Sequence, residues 1–335
     1  MGELITSTKM KGLGIIIGIF LVGLSIVSSI IFGLTEISLQ MVFDSYFHFD
    51  GSNEHIIIQD TRIPRAFIAA AVGASLAISG ALLQGVTQNP LASPSLFGIN
   101  AGAGFFIVLS VLLLGASSLT VFTWVAFLGA ALSATIVYTL GSIGKGGVSP
   151  IKLTLAGAAM AAFFSSLTQG ILSIHEKALD EVLYWLAGSI AGRKLEILLH
   201  VLPYLCIGWI LALLIGSKMN VLTMGEDVAK GLGQRTTRVK LMAILIVILL
   251  AGGSVAIAGP IAFVGIVVPH LARKIVGIDY RWLIPYCAIL GAILLLVADI
   301  GARYIIMPNE VPVGIMTVLI GTPFFIYIAR KGISR

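Results

Sequence analysis

This sequence predicts an all-α membrane protein, a polytopic bundle of about ten transmembrane helices, and three observations carry that reading. Charged residues fill only 11% of its 335 positions, whereas a soluble chain carries about a quarter. Hydrophobic residues make up 58% and the mean hydropathy is +1.06. The apolar residues are gathered into runs of about 20, the length that crosses a bilayer core as a helix. A membrane β-barrel would instead alternate over short segments.

The first run follows Lys9 and Lys11 and covers about 13–33. It is long for the core of a cleaved leader, and Ser28-Ser29-Ile30 makes a poor cleavage site, so it reads as a retained first helix. The second span, 66–86, begins just after Pro64, a residue suited to a first helical turn because its missing N–H would be unpaired there anyway. Polar Gln88-Asn89-Pro90 ends that span, and 95–115 forms the third. Spans follow near 119–140, 153–173, 197–216 and 241–258. Gly259-Pro260 separates the seventh span from a short eighth, 260–274, and a merger of the two would give nine. The last two spans are 283–302 and 313–329. The chain 1–335 thus reads as one transmembrane domain with an extended loop over about 217–240.

Charge sets the orientation. With ten spans, one set of loops collects 15 of the 21 basic residues, among them Lys145, Lys218, Lys230, Arg235, Arg238, Arg273, Lys274 and Arg335. The opposite loops hold Arg62, Arg65, Lys177, Arg193, Lys194 and Arg303, together with 11 of the 15 acidic residues. Basic loops stay inside, so both termini are expected in the cytoplasm, with the lipid bilayer as the solvent. The net charge of +6 is scattered over helix ends, which is a topology signal and not a nucleic-acid footprint.

Chemistry-bearing constellations are missing from the sequence. There is no phosphate-binding G-x-x-x-x-G-K-[ST]; the nearest stretch, Gly141–Gly147, has Lys145 followed by Gly. The histidines are scattered and the two cysteines, Cys206 and Cys287, sit in apolar runs as packing residues, so no catalytic residue, metal site or cofactor is expected. ATP-driven work would need a partner chain. An ion-coupled transporter, the rival class, predicts ionisable groups at mid-membrane. Glu196, Asp299 and Glu310 fall near helix ends instead, and the helix middles hold Gln84 and Gln169, read first as interhelical hydrogen-bonding groups.

Two surface features suggest partners. Arg62-Ile63-Pro64-Arg65 and Arg303 put three guanidiniums on the outer side against the general charge bias, and arginine's planar fork suits carboxylates of a docked protein. The competing reading pairs Arg303 with Asp299 at i,i+4 and lets Arg62 and Arg65 snorkel. On the inner side, Gly225 followed by Glu226 and Asp227 reads as a helix start, because acids favour the positive end of the helix dipole. Gly231 and Gly233 close it, with Leu232 between them, after about two turns. So short a helix needs something to pack on.

Four stretches carry a family resemblance. They are Gly73–Gly104 (GASLAISGALLQGVTQNPLASPSLFGINAGAG), Gly259-Pro260-Ile261-Ala262-Phe263-Val264-Gly265 running on to Pro269-His270-Leu271-Ala272-Arg273, Asn309-Glu310-Val311-Pro312-Val313-Gly314 with Gly321-Thr322-Pro323-Phe324-Phe325, and the 217–240 loop. Together they resemble the membrane-spanning subunits of ABC importers for iron–siderophore, haem and cobalamin, the FecCD/BtuC-type permeases. The resemblance implies a type II ABC importer permease-like bundle in a bacterial cytoplasmic membrane. It implies a separate ABC ATPase, an extracytoplasmic substrate-binding protein, and a second permease, as homodimer or paralogue pair. Ferric siderophore is the expected cargo, with haem or cobalamin as the alternatives.

Residue by residue, the resemblance assigns Arg62, Arg65 and Arg303 to binding-protein docking. It assigns Gly225, Glu226, Asp227, Leu232 and Gly233 to ATPase coupling, and Gln88, Asn89 and Leu91 to the gate region at the inner mouth. A purely structural turn, with Asn89 capping the next helix, is the other reading of that last stretch. One departure stands out: Pro150-Ile151 opens the fifth span where a pair of small hydroxyls would be needed for a polar constriction.

Overall fold

The structure, a computed structural model, describes residues 3–143, 149–175 and 182–333. Lys145, Lys177, Arg335, Glu176, Asp180 and Glu181, used above for orientation, lie outside the described residues. Every regular element among the described residues is helical. In chain order these are α1 (Thr8–Ile31), α2 (Leu39–Phe47), α3 (Asn53–Thr87), a 3-10 turn (Pro94–Phe97), α4 (Ile99–Leu114), α5 (Leu119–Ser142), α6 (Pro150–Ile174), a helical piece at 182–186, α7 (Leu195–Thr223), α8 (Glu226–Gly231), α9 (Thr236–Ala258), α10 (Val264–Val276), α11 (Tyr280–Tyr304) and α12 (Val313–Ile333).

Seven of these helices are long and apolar enough to cross a membrane: α1, α3, α5, α6, α7, α9 and α11. The other three expected spans are present as shorter helices. The third span is α4, 16 residues, because Pro94–Phe97 is taken up by the 3-10 turn. The eighth is α10, only 13 residues, because 259–263 is not helical: Gly259 has φ 71° and Phe263 φ 67°. Irregular backbone at this depth is tolerated only when protein surrounds it, and Gly259 and Ile261 are buried. The tenth is α12, apolar over Val313–Ile326.

The second span departs in the other direction. α3 runs for 35 residues and begins at Asn53, well before the apolar run. Ser52 caps it, accepting from the His55 N–H at 3.4 Å, and Glu54 sits in the first turn. A π turn at Ile58–Arg62 precedes the α-helical restart at Ile63, which leaves Pro64 at the second position of the new stretch. Proline lacks an N–H and crowds the carbonyl four residues back; the widened turn contains that carbonyl, at Asp60.

α3 is the axis of the bundle, buried along almost all of Ile63–Thr87. Lipid gives helices no hydrophobic reason to associate, so close backbone contact has to supply it. Gly73 of α3 lies against the carbonyl of Gly291 in α11, and the contact is mutual. About two helical turns further, Gly80 lies against the backbone of Gly265 in α10. A Cβ at either glycine of α3 would be driven into backbone, so these small residues are required by contact rather than by flexibility. Polar links cross the same surfaces: Trp209 Nε1 donates to Ser75 Oγ at 3.0 Å, and the Tyr280 hydroxyl donates to the Ala81 carbonyl at 3.1 Å.

The N-terminal segment is strapped to the end of α10. The N–H groups of Leu4 and Ile5 donate to the carbonyls of Lys274 and Ile275, at 3.1 and 2.9 Å. Lys11 is buried, with Nζ 2.8 Å from the Val276 carbonyl and 2.9 Å from Glu3. By contrast α6 packs on only part of its circumference, burying Leu153, Gly157, Phe164 and Thr168 and leaving much of its remaining surface open.

Candidate functional site

The three arginines expected on the outer side are brought together, but inward. The exposure expected of docking cations is not what the structure has: Arg62, Arg65 and Arg303 are 6%, 5% and 0% exposed. Asp299, fully buried in α11, is the reason. Arg65 Nε lies 3.0 Å from both its carboxylate oxygens and Nη2 lies 2.9 Å from Oδ1, a forked contact between α3 and α11. Arg303, one turn after Asp299, donates Nη2 to Oδ2 at 2.5 Å, which is the i,i+4 pairing weighed above. Its Nη1 and Nη2 also reach the end of α1, at the Ser29 and Phe32 carbonyls (2.6 and 2.7 Å) and Ser29 Oγ (2.9 Å), while Nε is buried without a partner among the described residues. Arg62 Nη1 also donates to the Phe32 carbonyl, at 2.8 Å. Arg65 Nη1 reaches Glu310, in the loop before α12, at 2.5 Å.

The cluster therefore ties α1, α3, α11 and the 310 loop at one end of the bundle. Three guanidiniums face two carboxylates, Asp299 and Glu310, so the group carries a surplus positive charge. Sequence reading missed Asp299 and Glu310 as partners of Arg65, because they stand 234 and 245 residues away.

At the opposite end, α3 stops where Gln88 turns into the left-handed region at φ 49°. Asn89 does not cap the next helix. Its Oδ1 accepts from the Leu91 N–H at 2.9 Å, closing a local turn, and α4 begins only at Ile99. Gln88 and Pro90 line a cavity of about 630 Å³ with Gln84, His270, Arg273 and Tyr280. Asn89 and Leu91 are half-buried beside it. Gln84 is held across helices: Nε2 donates to the Gly265 carbonyl at 3.1 Å, and Oε1 accepts from Arg273.

The short helix in the 217–240 loop is present as α8. Gly225, at φ 115°, precedes it, and Gly233, at φ 78°, follows. Glu226 faces inward. Its carboxylate meets Lys240 Nζ at 2.6 Å, Lys230 Nζ at 3.1 Å and Thr236 Oγ1 at 3.3 Å, fixing α8 on the start of α9. Burial would raise the Glu226 carboxyl, but the hydrogen bonds from Lys240 and Lys230 outweigh it and hold the pKa below its ordinary value. Asp227 is exposed.

Sequence reading named Leu232 here and missed its neighbours. Met224, Val228 and Leu232 are 65%, 50% and 66% exposed; Val228 and Leu232 stand one helical turn apart on α8, and Met224 lies just before its start. Ala229 packs inward on the other side. These residues were visible in the sequence, but three apolar positions in a polar loop are a faint signal.

A third surface was not anticipated. Ser165, Ser166, Gln169 and Ser173 all lie exposed on the second half of α6. Ser165, Thr168 and Gln169 line a cavity of about 410 Å³ with Ser95 and Asn100. Among the described residues the Asn100 Oδ1 is buried without a hydrogen-bond partner.

A bundle with glycine-welded helices, an inward arginine cluster at one end and a short presented helix at the other is a distinctive assembly. The sequence profile of the FecCD transport family matches residues 20–331. The chain belongs to the FecCD transport family. Curated relatives agree along nearly the whole length. A protein named "Probable siderophore transport system permease protein YfiZ", from Bacillus subtilis (strain 168), is 57% identical over 314 residues, 94% of each chain. The Fe(3+)-citrate import system permease protein YfmD of the same organism is 46% identical over 94% of this chain and 92% of its own. Among solved structures, one titled "An inward-facing conformation of a putative metal-chelate type ABC transporter" superposes with a TM-score of 0.83 at 29% identity, covering 96% of this chain and 99% of that one. This FecCD-family chain is accordingly a multi-pass permease subunit with an all-helical transmembrane fold.

Proposed function

We propose that the chain is one half of the translocation pathway of an ABC importer for ferric siderophores or closely related ferric chelates. The observation that carries the half-channel reading is the open face of α6. The Gln169 side-chain amide is exposed and has no hydrogen-bond partner among the described residues, and an unpaired amide transferred into hydrocarbon costs roughly 4–8 kcal/mol. That face therefore belongs against water or a second permease chain, a copy or a paralogue, and not against lipid. The names of the relatives, one for siderophores and one for Fe(3+)-citrate, support the cargo class.

The rest of the reading follows from the two ends. An ATPase docks on Met224, Val228 and Leu232, and α8 passes its displacement to α9 through Glu226 and Lys240. ATP is hydrolysed by that partner, in the cytoplasm, where the basic loops and both termini also lie. A substrate-binding protein docks at the arginine end, where the surplus positive charge of the cluster attracts acidic groups and sets register and on-rate. Arg62, Arg65 and Arg303 act there from beneath the surface. Gln88, Asn89 and Leu91 border the inner mouth. Binding and hydrolysis then shift the two halves between outward and inward access. Ion coupling gains no support from Asp299, whose oxygens are taken by two guanidiniums.

The deciding experiment combines uptake with assembly. A strain lacking this gene is tested for uptake of labelled ferric siderophores, ferric citrate, haem and cobalamin, and is complemented with wild type or with Val228→Asp/Leu232→Asp. Wild type should restore ferric chelate uptake. The double variant should fold but lose both copurifying ATPase and uptake. Uptake that persists without any bound ATPase would refute the importer reading.

A further inference from the structure

Between the start of α5, the helical piece at 182–186 and the loop before α12 lies a cavity of about 310 Å³. Arg193 lines it and is 6% exposed. Its Nε donates to the Ser189 carbonyl at 3.4 Å, and this is the only protein partner of the guanidinium among the described residues. No carboxylate lies within ion-pair distance of it there. Glu310 lines the same cavity but gives its carboxylate to Arg65. Burial, with no charged neighbour acting against it among the described residues, pushes the Arg193 guanidinium down to about 10, so it stays a cation at neutral pH.

The loop that presents Arg193 is held rigidly. Gly188, at φ 72°, abuts the Pro260 carbonyl, and the Gly314 N–H donates to the Gly188 carbonyl at 2.9 Å. Ser189 Oγ accepts from the Ala191 N–H at 3.2 Å. An uncompensated buried cation is costly, and a fork with both terminal nitrogens unspent is matched by a carboxylate. Trp185, Tyr184 and Pro312 give the cavity apolar walls suited to the carbon stem of such a group. At about 310 Å³ it is at the low end of ligand pockets, enough for an acidic side chain or a short organic acid.

We propose that this cavity is a binding site for a carboxylate, with Arg193 as its counter-ion. The carboxylate arrives either on an acidic side chain of a docked substrate-binding protein or on the free arm of a carboxylate-bearing chelate. Only that choice of source rests on the importer reading; the site itself is tested without it.

The probe is glutarate, added to the purified transporter in nanodiscs. Glutarate at millimolar concentration should raise the melting temperature of wild type and leave Arg193→Gln unchanged, with Arg193→Lys intermediate. Arg193→Gln alone should melt no lower than wild type, since it removes an unpaired charge; a merely structural arginine would give a lower melting temperature. Two further arms identify the source. A tenfold or greater loss of binding-protein affinity in Arg193→Gln points to the docked side chain. A loss of ferric citrate uptake with ferric hydroxamate uptake intact points to the chelate. Equal stabilisation of wild type and Arg193→Gln by glutarate, or equal effects of glutarate and chloride, would overturn the site. A binding protein that fails to engage wild type would instead count against the importer reading.

Discussion

Replacing Asp299 by Asn is the sharpest test of the buried cluster. The substitution keeps the shape of the side chain and removes one charge. Asp299 accepts three contacts from Arg65 and one from Arg303, and is itself fully buried. Without it Arg303, also fully buried, retains only carbonyl and hydroxyl partners on α1, and Arg65 retains Glu310 alone. Breaking a buried ion pair by removing one partner costs about 3–5 kcal/mol, which is roughly a hundred- to several-thousand-fold in a folding equilibrium. With an unfolding entropy of about 2.1 cal/mol/K per residue, a chain of 335 residues shifts by about 1.4 °C per kcal/mol, so the melting temperature should fall by roughly 4–7 °C. The measurement is thermal unfolding of the purified permease in nanodiscs, followed by tryptophan fluorescence and by monodispersity. Adding Arg303→Met to Asp299→Asn removes one stranded cation and should recover part of the loss. A single variant that melts within about 2 °C of wild type, or a double variant less stable than the single, would refute the reasoning.

Two further outcomes follow from packing and charge. Gly80→Val meets the backbone of Gly265 and should cost at least the 1–3 kcal/mol or so of an overpacked core, read as poor accumulation in membranes; Gly170→Val, on the open face of α6 with nothing within 4 Å, should accumulate normally. Asp279, before α11, has its carboxyl held down to about 2 from 3.8, chiefly by hydrogen bonds from Arg281, with burial opposing and Asn220 assisting. A carboxyl lowered on folding stabilises the protein above its unfolded pKa and loses that contribution as pH falls towards the folded value. Melting temperature should therefore drop between about pH 4 and pH 2, and less steeply in Asp279→Asn.

Sequence alone exposed what depends on short-range pattern. Hydropathy revealed the helices because each span must solvate itself in lipid, and Gly225 with its acidic successors revealed α8 because capping is local. What stayed hidden depends on chain return. The polar stretch 53–62 reads as a loop, yet a Ser52 cap and a π turn carry the helix through it. Arg62 and Arg65 read as outward cations because their partners, Phe32 and Asp299, lie 30 and 234 residues away. Gln84 was legible as an interhelical group, whereas its choice of Gly265 and Arg273 was not. The open face of α6 is invisible in composition, since Ser and Gln there look like those buried elsewhere.

The arrangement around Asp299 also bears on how the chain enters the bilayer. α3 is synthesised early and carries Arg65, whose counter-ion is not made until α11 emerges. A lone arginine in an inserting segment costs up to about 2.5–3.5 kcal/mol at the helix centre, and Arg65 reduces that by lying at the start of the apolar part of α3, just after the restart at Ile63. α11 brings Asp299 and Arg303 one turn apart, so the two enter as a self-neutralised pair. Only when α11 slots against α3 does Asp299 take on Arg65 as well. Final closure of the bundle is thus timed to the arrival of its penultimate transmembrane helix, and a chain truncated before residue 299 would leave a waiting charge for membrane quality control to find.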